Sequence, residues 1–126
     1  MLLSRFFKFV PTYVEASYGL SRGNIYRHKL VMKLLEVIKS PIAGKKWRAV
    51  FEGDTGRLKH TDFGAAGMDD YTLTHSKEQR ERYRTRHSKD LTTKDPTRAG
   101  FLSYYLLWGD STSLKTNIAS YRRKFF

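Results

Sequence analysis

The chain has 126 residues, enough for one domain with a single modest core. Its 40% hydrophobic content can offset the entropy of ordering, which argues against wholesale disorder, and the lack of cysteine excludes disulfides, thiolate metal sites and cysteine nucleophiles. Lys and Arg number 24 against 12 Asp and Glu, and the resulting net charge of +12 attracts polyanions such as nucleic acid, anionic membranes or acidic proteins.

The opening "MLLSRFFKFV" reads as a short strand or arm, with Arg5 and Lys8 interrupting the apolar run. It has no continuous apolar core or small-residue cleavage site, so a signal peptide is not expected. No stretch approaches the ~20 apolar residues of a membrane span. From Ile25 to Lys39 the pattern predicts a helix, because Leu30, Leu34 and Ile38 recur every four residues and Val31, Leu35 and Val37 widen the stripe. Ser40-Pro41 and Gly44 end it.

In "KKWRAVFEGDTGRLKHTDFGA", Trp47, Ala49 and Phe51 alternate with Arg48, Val50 and Glu52; "GDTG" turns the chain, and Leu58 and Phe63 lie on the return. This predicts a β-hairpin that buries one face on helices, because an isolated hairpin is marginal. Gly64–Gly67 predicts a tight turn with positive φ at Gly64 or Gly67, and Asp69–Thr72 a loop. Backbone amides in such a turn could approach a phosphate, but the acids that follow would repel it.

Ser76 with Gln79 three residues on predicts a capped helix from Lys77 to about Lys89, acidic early and basic late as the helix dipole favours. The next helix takes Asp95 as its cap and Pro96 as its first residue, and stops at Gly109; Ala99, Phe101, Leu102, Tyr105, Leu106, Leu107 and Trp108 make it the expected core helix. Ser111 or Ser113 starts a last helix striped by Leu114, Ile118, Tyr121 and Phe125, ending in the basic "YRRKFF". The expected fold is one α+β domain over 1–126: a β-hairpin, extended to a small three-stranded antiparallel sheet if the N-terminus adds a strand, packed against three or four helices. Residues 1–44 read as a helical elaboration and 45–126 as the core.

Charge varies along the chain: net +8 over 1–48, −3 over 49–75, +4 over 76–98 and +3 over 99–126. The hairpin is therefore not the expected polyanion surface. In the helix after Ser76, Arg80, Tyr83, Arg84 and His87 share a face, with Arg82, Arg86 and Lys89 in an adjacent row. Guanidinium forks suit phosphate oxygens, and a tyrosine between them can stack or donate a hydrogen bond. Arg122, Arg123 and Lys124 add a C-terminal cluster, and Arg27, Lys29 and Lys33 a second patch. The bland alternative is a solvated face with pairs such as Glu78–Arg82. Nothing here forms a base-reading pattern.

Asp62, Asp69, Asp70, His60 and His75 are the best metal or acid–base group, but their spacing fits no metal motif. No cofactor is expected. Trp47, Tyr104, Tyr105 and Trp108 could stack on single-stranded bases, Tyr104 being the best placed; aromatics at these spacings more often form core.

The string from "KKWRAVFEGDTGRLKHTDFGAAGMDDYTLTHSKEQRERYRTRH" through "DPTRAGFLSYYLLWGDSTSLKTNIASYRRKF" resembles a family of small basic proteins of large nucleocytoplasmic DNA viruses, the giant viruses. The shared frame falls on Phe63-Gly64, Asp70-Tyr71-Thr72, Arg82-Tyr83 with Arg86-His87, Pro96 through Ser103, Leu107-Trp108, Ser113-Leu114, Ile118 and Tyr121, covering about residues 45–125. The resemblance implies a viral setting, in the virion and in host cytoplasm or nucleus during infection, without a mechanism or a list of binding residues. The expected function is a non-enzymatic nucleic-acid-binding protein, double-stranded DNA favoured, in which formation of a homodimer would let two basic patches act together. A virion adaptor that meets an acidic protein, and a metal-dependent nuclease, are the alternatives.

Overall fold

The computed structural model describes residues 32–126. The N-terminal strand or arm, the first part of the expected helix, Arg27 and Lys29 lie outside the described residues. Three strands, β1 (Lys33–Lys39), β2 (Lys45–Glu52) and β3 (Leu58–Ala65), form an antiparallel sheet in the order β1-β2-β3. Four helices follow: α1 (Tyr71–Thr74), α2 (Lys77–His87), α3 (Ala99–Leu102) and α4 (Leu114–Phe125). A 3₁₀ segment, Ser88–Thr93, prolongs α2, and a π-helical turn, Ser103–Leu107, prolongs α3. The α+β expectation is met, with three strands. No helix among the described residues is long and apolar enough to cross a membrane.

The expected helix over Ile25–Lys39 is wrong for its second half, which is strand β1. The cause is a β-bulge. Leu34 pairs with Phe51 and Glu36 with Val50, so Leu35 is an extra residue and Val37 returns opposite Ala49. The bulge spaces the inward residues Leu34 and Val37 three apart, which on paper is helical spacing. The β-branched Val37 and Ile38 favour the pleated alternative. Residues 33–39 are therefore an edge strand of the sheet and not part of a helix.

One face of the sheet carries Leu34, Ala49, Phe51 and Phe63, all buried against Leu102, Leu106, Leu107, Trp108 and Tyr121 from the helices. Helix α3 starts later than Pro96. Asp95 accepts hydrogen bonds from the Thr97 amide and hydroxyl, making a side-chain-stabilised turn, and Arg98 is the N-cap. That turn is clamped from both sides. The Thr61 hydroxyl donates to the Thr97 carbonyl at 2.7 Å, and the Tyr121 hydroxyl donates to the Pro96 carbonyl at 2.6 Å. Ser113 caps α4 by accepting from the Thr116 amide.

Two glycines allow close approach. Gly64, at φ +81° within β3, would place a Cβ 2.8 Å from Leu107 Cδ1. Gly109, just beyond the π turn, would place one 2.1 Å from the Tyr105 carbonyl oxygen. The wide π turn pushes that carbonyl into the path of the returning chain, so any side chain at 109 collides with it.

Candidate nucleic-acid interface

Helix α2 is held at its start by Ser76, which accepts from the Gln79 amide at 3.2 Å. Its 3.6-residue period divides the predicted contact residues into two groups. Arg80, Tyr83, Arg84 and His87 turn inward; Arg82 and Arg86, with Lys89 on the 3₁₀ prolongation, are exposed on the opposite and flanking sides.

The inward arginines are structural. The end of the π turn leaves carbonyls without helical donors, and α2 supplies guanidinium groups to them. Arg80 Nε donates to the Gly109 carbonyl at 2.6 Å, and its terminal nitrogens pair with Asp110 and Glu81. Arg84 Nη1 donates to the Trp108 carbonyl at 3.0 Å, and the guanidinium lies 4.4 Å from the centre of the Tyr104 ring. Tyr104 is buried beneath it, so the best-placed candidate for stacking on bases is already covered. Tyr83 is stacked between Trp108 at 4.5 Å and His87 at 4.1 Å. Burial, reinforced by the Asp90 carboxylate, raises its phenol above the ordinary value, so it remains a hydrogen-bond donor at neutral pH. His87 Nδ1 lies 3.1 Å from Asp90 Oδ2.

The outward cations are different. None of the ion pairs among the described residues involves Arg82, Arg86 or Lys89, and the Glu78–Arg82 pair of the alternative reading does not form.

At the C-terminus, Arg122 is also structural: Nε donates to the Leu34 carbonyl at 2.9 Å and Nη2 to the Leu35 carbonyl at 2.8 Å, capping the β1 bulge. Among the described residues Arg123 donates only to the Ser120 hydroxyl, at 3.2 Å. Lys124 Nζ lies 5.8 Å from the Tyr105 ring, and Tyr105 lies 5.1 Å from Tyr104. A chain of cations and rings, Arg84–Tyr104–Tyr105–Lys124, thus links α2 to the basic end of α4. Lys33, from the second expected patch, stands exposed at the start of edge strand β1.

The acid and histidine group is not assembled. Asp62 accepts from Arg48 Nε at 2.9 Å and from the Ser40 hydroxyl at 2.8 Å on the outer sheet face. The hydrogen bond with Arg48 holds its carboxyl below the usual range. Asp70 is buried as the N-cap of α1, accepting from the Thr72 amide, and Lys46 Nζ lies 2.5 Å from it. Among the described residues no three His, Asp or Glu side chains are placed to share a metal ion.

Gly64 and Gly67 both take positive φ, as the turn was expected to do. The turn forms one wall of a cleft of about 510 Å³, which the sequence did not reveal. Tyr83, Arg86 and His87 of α2 form the facing wall, with Leu107 of the π turn and Trp108 just after it between them.

Residues 35–87 match the model of a family of unknown function, DUF5754. The matched span runs from the β1 bulge through the sheet and α1 to the end of α2, less than half of the chain, and omits α3 and α4, on which the sheet packs. No curated protein and no solved structure matches the chain.

Proposed function

We propose that the chain is a non-enzymatic nucleic-acid-binding protein that grips the phosphate backbone, double-stranded DNA in preference, with little sequence selectivity. One observation carries this reading: Arg82 and Arg86 on α2 and Lys89 on its 3₁₀ prolongation, at i, i+4 and i+7, stand exposed with no carboxylate partner among the described residues. The described residues hold 19 Lys and Arg against 11 Asp and Glu, so the row sits in a field that favours a polyanion. The inward arginines serve it indirectly, by fixing α2 on the π turn so that the outward row keeps its spacing. Arg123 and Lys124 extend the contact at the C-terminus.

A row of cations without paired acceptors holds phosphates and reads no base edge, so unrelated sequences bind alike. The resemblance to giant-virus proteins supports a viral genome as the polyanion, bound in the virion and in the host cytoplasm or nucleus during infection. A homodimer would place two rows on one duplex and raise the affinity through effective concentration.

The test is a gel-shift titration of the full chain with two unrelated duplexes, in parallel with an acidic polypeptide. Equal binding to both duplexes and little to the polypeptide is expected. Binding of the polypeptide without DNA binding would favour the virion adaptor instead.

A further inference from the structure

The cleft between α2 and the turn after β3 has properties that the outward arginine row does not require. Its volume of about 510 Å³ lies within the range of small-molecule sites, ~300–1,000 Å³. Arg86 lines one wall and Asp69 the other, and neither has an ion-pair partner among the described residues. The remaining charged groups of the cleft are committed. Lys46 Nζ donates to Asp70 and to the Met68 carbonyl, both at 2.5 Å, and His87 Nδ1 faces Asp90 at 3.1 Å, leaving Nε2 for a ligand. Ala65 and Met68 add exposed apolar surface above the buried Leu107 and Trp108, and Gln79 an amide that can both donate and accept.

These features select a ligand class. A purely apolar molecule would strip water from Arg86 and Asp69 without replacing it. A polyphosphate would meet the Asp69 carboxylate. A molecule with an anionic end, an apolar body and hydrogen-bond donors satisfies all three: the anion on Arg86, the donors on Asp69 and Gln79, the body on Ala65 and Met68. We propose that the cleft takes a single unpaired nucleotide, its phosphate on Arg86 and its base or sugar donors towards Asp69. Arg86 belongs to both surfaces, so a strand end or unpaired position enters the cleft while the adjoining backbone lies along Arg82 and Lys89. The assignment of the phosphate to a nucleic-acid strand rests on the binding function proposed above; the cleft's own chemistry does not.

The experiment is a two-dimensional amide NMR titration of the full chain with a deoxynucleoside 5′-monophosphate, the matching deoxynucleoside and inorganic phosphate as separate probes. The monophosphate is expected to give saturable shifts at Gly64, Gly67 and the Trp108 indole, and to bind more tightly than either part. Ala65→Trp, an exposed position that lines the cleft, fills it and weakens the monophosphate by about tenfold or more. Asp69→Asn, on the exposed turn, weakens it without filling space. Arg82→Ala/Lys89→Ala leaves it within about twofold while lowering duplex affinity. No saturable shift with millimolar monophosphate, equal binding of inorganic phosphate, or full affinity in both cleft variants would overturn the site. Monophosphate binding with no duplex binding would retain the cleft and sink the backbone-gripping function.

Discussion

Arg84 and Trp108 are joined by a hydrogen bond from guanidinium Nη1 to a main-chain carbonyl, 3.0 Å long, across the seam between α2 and the π turn. Arg80 makes the equivalent bond to Gly109, at 2.6 Å. Both were expected to meet phosphate, and both instead cap a helix end. Arg80→Ala and Arg84→Ala are therefore expected to lower unfolding free energy by about 1.5–3 kcal/mol each, because a carbonyl loses a charged donor. Lysine restores little, having no fork with which to hold a carbonyl and Asp110 together. Urea denaturation measures this, with Arg82→Ala as the control, expected within about 0.5 kcal/mol of the parent.

Gly109→Ala tests the π turn. Its Cβ would lie 2.1 Å from the Tyr105 carbonyl oxygen, a main-chain atom that cannot swing aside. The expected cost is about 3 kcal/mol or more, the upper end of overpacking effects. A melting temperature equal to the parent's would show that the π turn relaxes to a regular helix at no cost.

Tyr121 predicts the alkaline limb of stability. Burial raises its phenol above the ordinary 10.0, so the folded state resists ionisation more than the unfolded state does. The stability from this shift is fully present below about pH 10 and is lost as pH rises beyond it. Tyr121→Phe loses the bond to the Pro96 carbonyl, about 1–3 kcal/mol at neutral pH, and shows a flatter decline above pH 10. Denaturation midpoints across pH 8–11, a range chosen to span the ordinary tyrosine value near ~10, compare the two.

Asp62 contributes to the acid limb. Its carboxyl is held below the ordinary value, chiefly by the hydrogen bond from Arg48. The stability that this adds is complete above the unfolded carboxylate range, near pH ~4, and is lost as pH falls through the lower folded value. Asp62→Asn should therefore unfold with a shallower pH dependence below about pH 4. An unchanged acid limb would mean that other carboxylates set it.

The hairpin, the Ser76 and Ser113 caps and the burial of Leu102, Leu106 and Tyr121 were legible because each rests on local chemistry: alternation, a hydroxyl before a helix, an apolar stripe. Strand β1 was not, because one extra residue at Leu35 gives a strand the spacing of a helix. The division of α2 into inward and outward rows was half legible. Periodicity groups Arg80, Tyr83, Arg84 and His87 on one side, but an arginine stripe gives no sign that it faces inward until its carbonyl partners, 24 to 29 residues later in the chain, are in place. Arg122 escaped for the same reason, since the bulge carbonyls that it caps lie 87 and 88 residues away. The cleft left no local trace, because its walls come from β3, α2 and the π turn.

The salt dependence of duplex binding tests the central claim most directly. Binding constants are measured over a series of salt concentrations for the parent, for Arg82→Ala/Arg86→Ala/Lys89→Ala, and for Arg80→Ala under conditions where it remains folded. On B-DNA each lost phosphate contact flattens the slope of log K against log salt by about 0.9. The triple variant should therefore lose close to ~2.7 of slope, and Arg80→Ala close to none. A triple variant with the parent's affinity and slope would contradict the account, and a loss confined to Arg80→Ala would put the contact on the wrong side of α2.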